Sequence, residues 1–306
     1  MSLTAYLIIF VTVFIVSIIL KLSFTIQKRA FKCKWDGAIE ADVKYGGGNK
    51  FDLYLPADKS RESYGLVVYL HSGSFNTGDK KDDAEILKWL SAKGYVAAGV
   101  NYTLGNNRKP VSVYDQSLDI KDAVPKVVKQ AEKLGYKING MAIAGGSAGG
   151  TLALLYALRD AKNAPVPVKM VFEMVAPAGF VREDWTNYGL DKDAKAAAGM
   201  FSPMAGKLIT PEDIESSAYL TAVKNISAEA WVTEKSVPVL MAYGKLDKIC
   251  PCATGRRLAE KLEKCGVPHD YIEFPHSGHG LQNDDRIYKQ FVKKISEYLE
   301  TYLPVK

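Results

Sequence analysis

Residues 145–149 read Gly-Gly-Ser-Ala-Gly, a G-x-S-x-G pattern set between an apolar run at 141–144 and a helix-forming stretch at 151–158. The order is strand, sharp turn, helix. Such a turn lifts the central serine out of the crowded backbone, because glycines two residues either side of it leave no Cβ to collide with the bend. Five residues with three fixed positions are weakly specific by themselves. The rest of the chain must supply the sheet that carries the turn and the partners that the serine needs.

A sheet is legible. Residues 39–44 and 51–55, joined by Gly46-Gly-Gly-Asn49, alternate and punctuate as an antiparallel hairpin. Buried-strand runs then recur at 66–70, 95–100, 141–144, 169–175, 237–243 and 271–274. Helix-period stretches lie among them at 83–93, 113–134, 150–161, 254–265 and 284–302, each long enough to cross over between parallel strands. This alternation predicts an α/β fold with a mostly parallel, doubly wound sheet. Roughly sixty residues separate the strands ending at Val175 and starting at Val237, far more than a crossover needs. Residues 178–236 are expected to form a helical cap over the carboxyl ends of the strands, where open α/β sheets bind ligands.

With 306 residues, 47% of them hydrophobic, the chain can bury one large α/β core. Residues 3–20 carry no charge and are mostly apolar; as a helix they would reach about 27 Å, nearly a bilayer core. A cleaved signal peptide would want positive charge before this run and an A-x-A-like site after it, and neither is present. A transmembrane anchor at 1–22, a basic juxtamembrane segment at 23–35 and a hydrolase-like domain at 36–306 are therefore expected. Lys21, Lys28, Arg29, Lys32 and Lys34 supply five of the six net positive charges, next to the apolar run. That asymmetry suits anionic lipid, gives nucleic-acid binding no support, and predicts a single-pass protein with its main domain in the cytoplasm. Cys33, Cys250, Cys252 and Cys265 match neither a disulfide framework nor a zinc spacing, and read as reduced thiols.

Serine attack on a carbonyl needs a base, an acid that orients the base, and donors for the developing oxyanion. His279 lies in His276-Ser-Gly-His-Gly280, just after the last strand. Asp247 lies in Tyr243-Gly-Lys-Leu-Asp247, just past the strand ending at Tyr243. The order Ser147, Asp247, His279 is that of an α/β-hydrolase and of no other common serine-hydrolase fold. His71-Ser-Gly-Ser-Phe75 follows the 66–70 strand, where a loop containing glycine can turn backbone N–H groups of Ser72 and Gly73 to an oxyanion; the N–H of Ala148 would complete the hole.

On these residues the chain resembles the α/β-hydrolase esterases with an H-G-G-G oxyanion loop, near the acetyl esterases and BD-FAE-like carboxylesterases. The resemblance runs from about Tyr45 to Leu303. It rests on Phe51-Asp-Leu-Tyr-Leu-Pro56, His71-Ser-Gly-Ser-Phe75 with Gly78-Asp-Lys80, Asn101-Tyr102, Gly145-Gly-Ser-Ala-Gly149, Gly244-Lys-Leu-Asp247 and Ser277-Gly-His-Gly280. It implies a serine esterase of short-chain acyl esters, with Ser147 as nucleophile, His279 as general acid and base, Asp247 as its orienter, and Ser72, Gly73 and Ala148 as oxyanion donors. Ser72 and Ser74 depart from the family's glycines, and a Cβ forbids some backbone angles that glycine allows.

Competing readings attach to several residues. His276 is a rival base, Asp284 and Asp285 are rival acids on the wrong side of the expected order, and His71 reads as a loop organiser. The H-x-x-H pair at 276 and 279 has no helix and no third ligand, so no metal is expected; no nucleotide motif is present, and the chemistry calls for no cofactor. Trp185, Tyr188, Phe201 and Met204 are candidate walls of an acyl pocket. A peptidase or amidase on the same fold would share the triad, and a membrane-tethered binding protein without turnover is the alternative from another class.

Overall fold

A computed structural model describes residues 30–105 and 110–305. The expected anchor at 1–22 and most of the basic segment lie outside the described residues. Among the described residues no helix is long and apolar enough to cross a membrane.

Eight strands form one sheet in the order β1-β2-β4-β3-β5-β6-β7-β8. Strands β1 (Ala38–Gly46) and β2 (Asn49–Leu55) make the antiparallel hairpin, and β2 runs antiparallel to β4. From β4 (Val96–Val100) through β3 (Tyr64–Leu70), β5 (Ile138–Gly146), β6 (Val168–Met174), β7 (Val239–Gly244) and β8 (His269–Phe274) every pairing is parallel. Every residue of β3, β4 and β7 is buried, as expected where helices cover both faces of a parallel sheet.

Alternation along β3 sends Leu66, Val68 and Leu70 to one core and Val67 and Tyr69 to the other. On the first face lie α2 (Val113–Lys133), α3 (Ala148–Leu155) and α7 (Cys252–Lys264); on the second lie α1 (Ala84–Ala92) and α8 (Asp285–Tyr302). The α2 start is set by a capping box, in which Ser112 Oγ accepts from the Asp115 N–H and Asp115 accepts from the Ser112 N–H. Where the pattern predicts one helix over 150–161, α3 gives way to a wider π-turn at Tyr156–Asp160. That turn brings Arg159 against Asp160 and Ser117.

Between β6 and β7 the chain forms α4 (Ala194–Ala205), α5 (Pro211–Glu215), α6 (Tyr219–Val223) and several single 3₁₀ turns. Aromatic rings knit this stretch together. Phe180 stacks on Trp185 with centroids 5.5 Å apart, and Phe201 stacks on Tyr219 at 5.9 Å.

Candidate active site

Strand β5 runs in the middle of the sheet, and Ser147 sits at the corner between it and α3 with φ 51° and ψ −120°. That left-handed backbone is costly for a residue with a Cβ and marks a position held by its surroundings. Two constraints hold it. The Ser147 N–H donates to the Met174 carbonyl at 2.8 Å, and α3 packs so close behind that a Cβ on Gly149 would collide with the Leu70 and His71 carbonyl oxygens. The hydroxyl thus projects from a helix N-terminus whose first N–H groups, beginning with Ala148, have no partner inside the helix.

Ser147, His279 and Asp247 are brought together. His279 Nδ1 donates to Asp247 Oδ2 at 2.7 Å, which leaves Nε2 as an acceptor for the Ser147 hydroxyl, 2.9 Å away. Asp247 is buried, and its other oxygen accepts the N–H groups of Ile249 at 2.8 Å and Cys250 at 2.9 Å. His276 does not compete, because its ring faces Asp284 at 2.8 Å and is largely exposed. Asp284 instead organises the loop that carries His279: it also accepts the His276 N–H at 3.0 Å and the Ser277 hydroxyl at 2.6 Å. Burial pushes the Asp284 carboxyl up, but the Ser277 hydroxyl and the His276 ring and N–H outweigh it and hold the group below its ordinary range.

The loop after β3 takes positive φ at three successive residues, Gly73 (133°), Ser74 (52°) and Phe75 (66°). A Cβ at Gly73 would run into the Thr77 carbonyl, so glycine is required there. The two serines differ from expectation. Ser74 adopts the left-handed region despite its side chain, while Ser72 uses its hydroxyl to donate to the Gly146 carbonyl at 3.0 Å, tying this loop to the turn beside the serine. Beneath it His71 is fully buried, stacked on Tyr102 at 4.3 Å, with Nδ1–H donating to the Ser72 carbonyl at 2.7 Å. Desolvation lowers the His71 pKa, consistent with a neutral ring that shapes the loop.

A cavity of about 870 Å³ opens beside Ser147. Of the expected wall residues, Trp185, Tyr188 and Met204 line it, and Phe201 does not; Phe201 is buried among the rings of Phe180, Trp185 and Tyr219. Three other roles escaped the sequence reading, which named Tyr188 as a pocket wall and neither Asn187 nor Glu173. The Asn187 amide donates to the Asp247 carbonyl at 2.9 Å and the Tyr188 hydroxyl to the Ile249 carbonyl at 3.0 Å, fastening the segment after β6 to the loop that bears the acid. Glu173, at the end of β6 and fully buried, accepts the Ala176 N–H at 2.8 Å, and desolvation drives its pKa well above the usual carboxylate range. No periodicity or motif singles out any of the three.

A mostly parallel sheet of this order, with a serine on its sharp strand-to-helix turn and an imidazole and carboxylate contributed beyond β8 and β7, defines an α/β-hydrolase fold. More narrowly, the chain belongs to the BD-FAE family, whose model matches residues 51–262. Its sequence is 25% identical over 259 residues to the probable carboxylic ester hydrolase LipM of Mycobacterium tuberculosis, covering 80% of this chain and 57% of the relative. It is 24% identical over 237 residues to the esterase LipC of the same organism, covering 75% and 56%. The chain thus spans little more than half the length of these curated relatives. In fold it is similar to the thermophilic esterase Est2 of Thermogutta terrifontis, with a TM-score of 0.68 and 21% identity over 88% of this chain and 93% of the other.

Proposed function

We propose that the protein hydrolyses carboxylic esters through an acyl-enzyme on Ser147. The single observation that carries this reading is the unbroken line of hydrogen bonds from the Ser147 hydroxyl through His279 to Asp247, at 2.9 and 2.7 Å. In the first step Ser147 Oγ attacks the ester carbonyl while His279 Nε2 takes its proton. Asp247 holds the ring in the tautomer that leaves Nε2 free and stabilises the imidazolium that forms. The oxyanion is received by backbone N–H groups of Ser72, Gly73 and Ala148. His279 then gives its proton to the departing alkoxide, and a water activated by the same ring releases the acid and restores the serine. The step sequence needs no cofactor.

The test uses the full chain with a short-chain activated ester and a fluorophosphonate probe. Hydrolysis and labelling are expected, and Ser147→Ala should abolish labelling and lower kcat by up to about 10⁶-fold if the three residues act as a unit. A variant as active as the parent would end the reading.

We also propose that residues 1–22 anchor the protein in a membrane, with the catalytic domain on the cytoplasmic side. Support comes from the uncharged run at 3–20 and the five positive charges that follow it. In sealed inside-out vesicles of the inner or plasma membrane, added protease should digest the domain; protection there would reverse the orientation.

A further inference from the structure

We infer that the site takes a neutral ester bearing an apolar arm of about six or more carbons, seated between the loop after β3 and helix α4. The inference rests on the esterase reading and extends it to substrate class. Volume is the first argument. The cavity of about 870 Å³ lies toward the upper end of the roughly 300–1,000 Å³ typical of small-molecule sites. An acetyl group, with three heavy atoms, would fill only a small part of it. Space of this size suits a drug-sized ligand.

The chemistry of the walls is the second argument. Phe75, Val111, Trp185, Met200, Pro203 and Met204 line the cavity, and among the described lining residues none is acidic or basic. The polar ends of the aromatic lining are already committed elsewhere: Trp185 Nε1–H donates to the Gly179 carbonyl at 3.2 Å, and the Tyr188 hydroxyl to the Ile249 carbonyl. What these rings offer a ligand is therefore carbon and, at Tyr188, only the acceptor side of a hydroxyl whose hydrogen is already given away. Besides Ser147 and these rings, the polar side chains among the described lining are the Ser74 hydroxyl and the Asn76 amide at the loop after β3. An arm rich in hydroxyls or carrying a charge that reached toward α4 would thus lose most of its water without gaining partners. Ile249 belongs to the lining and is 51% exposed, so the apolar wall continues to the surface and a hydrophobic arm can enter along it. Met200 and Met204, unbranched and adaptable, set the far wall on α4.

The experiment measures kcat/KM of the full chain in two series kept below micelle-forming concentrations: p-nitrophenyl esters from acetate to octanoate, and alkyl acetates from ethyl to octyl. In at least one series, kcat/KM should rise about fourfold per added methylene, reaching about 100-fold or more by six to eight carbons. Met204→Trp should lower the ratio of octanoate to acetate turnover at least about tenfold, and Met204→Phe should shift it in the same direction by less. Flat or falling values beyond four carbons in both series overturn the inference and leave the esterase reading intact. So does equal turnover of an octanoate ester and its counterpart ending in a carboxylate. Absence of any ester turnover together with absence of fluorophosphonate labelling of Ser147 overturns both.

Discussion

Asp247 engages both carboxylate oxygens at once, one with His279 and the other with the N–H groups of Ile249 and Cys250. Any rotation of the group breaks a bond on one side. Asp247→Asn would present an amide donor either to the His279 N–H or to the two backbone N–H groups. We expect kcat to fall about 10⁴-fold with the fold retained, read as turnover at saturating ester beside a thermal unfolding curve. Glu173 makes the opposite demand. Burial raises its pKa well above that of an unfolded glutamate, so between the two values unfolding releases a proton and stability is lost as pH rises above about 4.3 toward the folded value. Glu173→Gln keeps an acceptor for the Ala176 N–H and never ionises. Its stability relative to the parent should improve with pH by up to about 1.4 kcal/mol per unit over that window, measured by denaturant unfolding from pH 5 to 8. A gap that stays constant across those pH values would show that the parent glutamate is charged in the fold.

At the scale of elements, the loop between β8 and α8 delivers His279, and Asp284 holds it at three points. Because the Asp284 pKa is lowered in the fold, its contribution is complete above the unfolded value of about 3.9 and fades as pH falls through the folded one. Asp284→Ala should cost about 1–3 kcal/mol at pH 7, narrowing below pH 4, and should reduce turnover by loosening the His279 loop. Paired denaturant curves at pH 7 and pH 3.5 check the first expectation, and kcat the second. The sheet and its crossover helices were legible in the chain because alternating and continuous apolar runs differ in period from helices, and because glycines punctuate them. Ser147, Asp247 and His279 were legible because each follows a strand, in an order that few folds share. The roles of Asn187, Tyr188 and Asp284 were not: they act through contacts to distant backbone carbonyls, or from a residue weighed only as a rival acid, and no local pattern encodes such contacts. The serines at 72 and 74 show the same gap, since sequence reveals a missing glycine but not that the Ser72 hydroxyl finds the Gly146 carbonyl.

Across the whole molecule, packing reaches further toward the amino terminus than the expected start at residue 36. Phe31 is buried against Trp89 and Tyr288, with ring centroids at 5.3 and 6.3 Å, and the Trp35 indole N–H donates to Ser91 Oγ at 3.0 Å. Removing residues 1–35 should therefore destabilise the domain by about 2–4 kcal/mol relative to removing residues 1–29, seen as a lower denaturation midpoint at unchanged slope. Equal midpoints would mean that these two aromatics rest on the domain without supporting it. The cavity, the sheet ends and the loops bearing Asp247 and His279 converge on one region, but they are not mechanically equivalent. On α4, Met200, Pro203 and Met204 line the cavity without bonding to the loop that bears Asp247, whereas the 185–188 turn both lines the cavity and grips that loop. Laboratory evolution toward new esters should accordingly find two kinds of change: replacements on the helix that trade one substrate for another at steady turnover number, and replacements in the turn that retune preference and speed together.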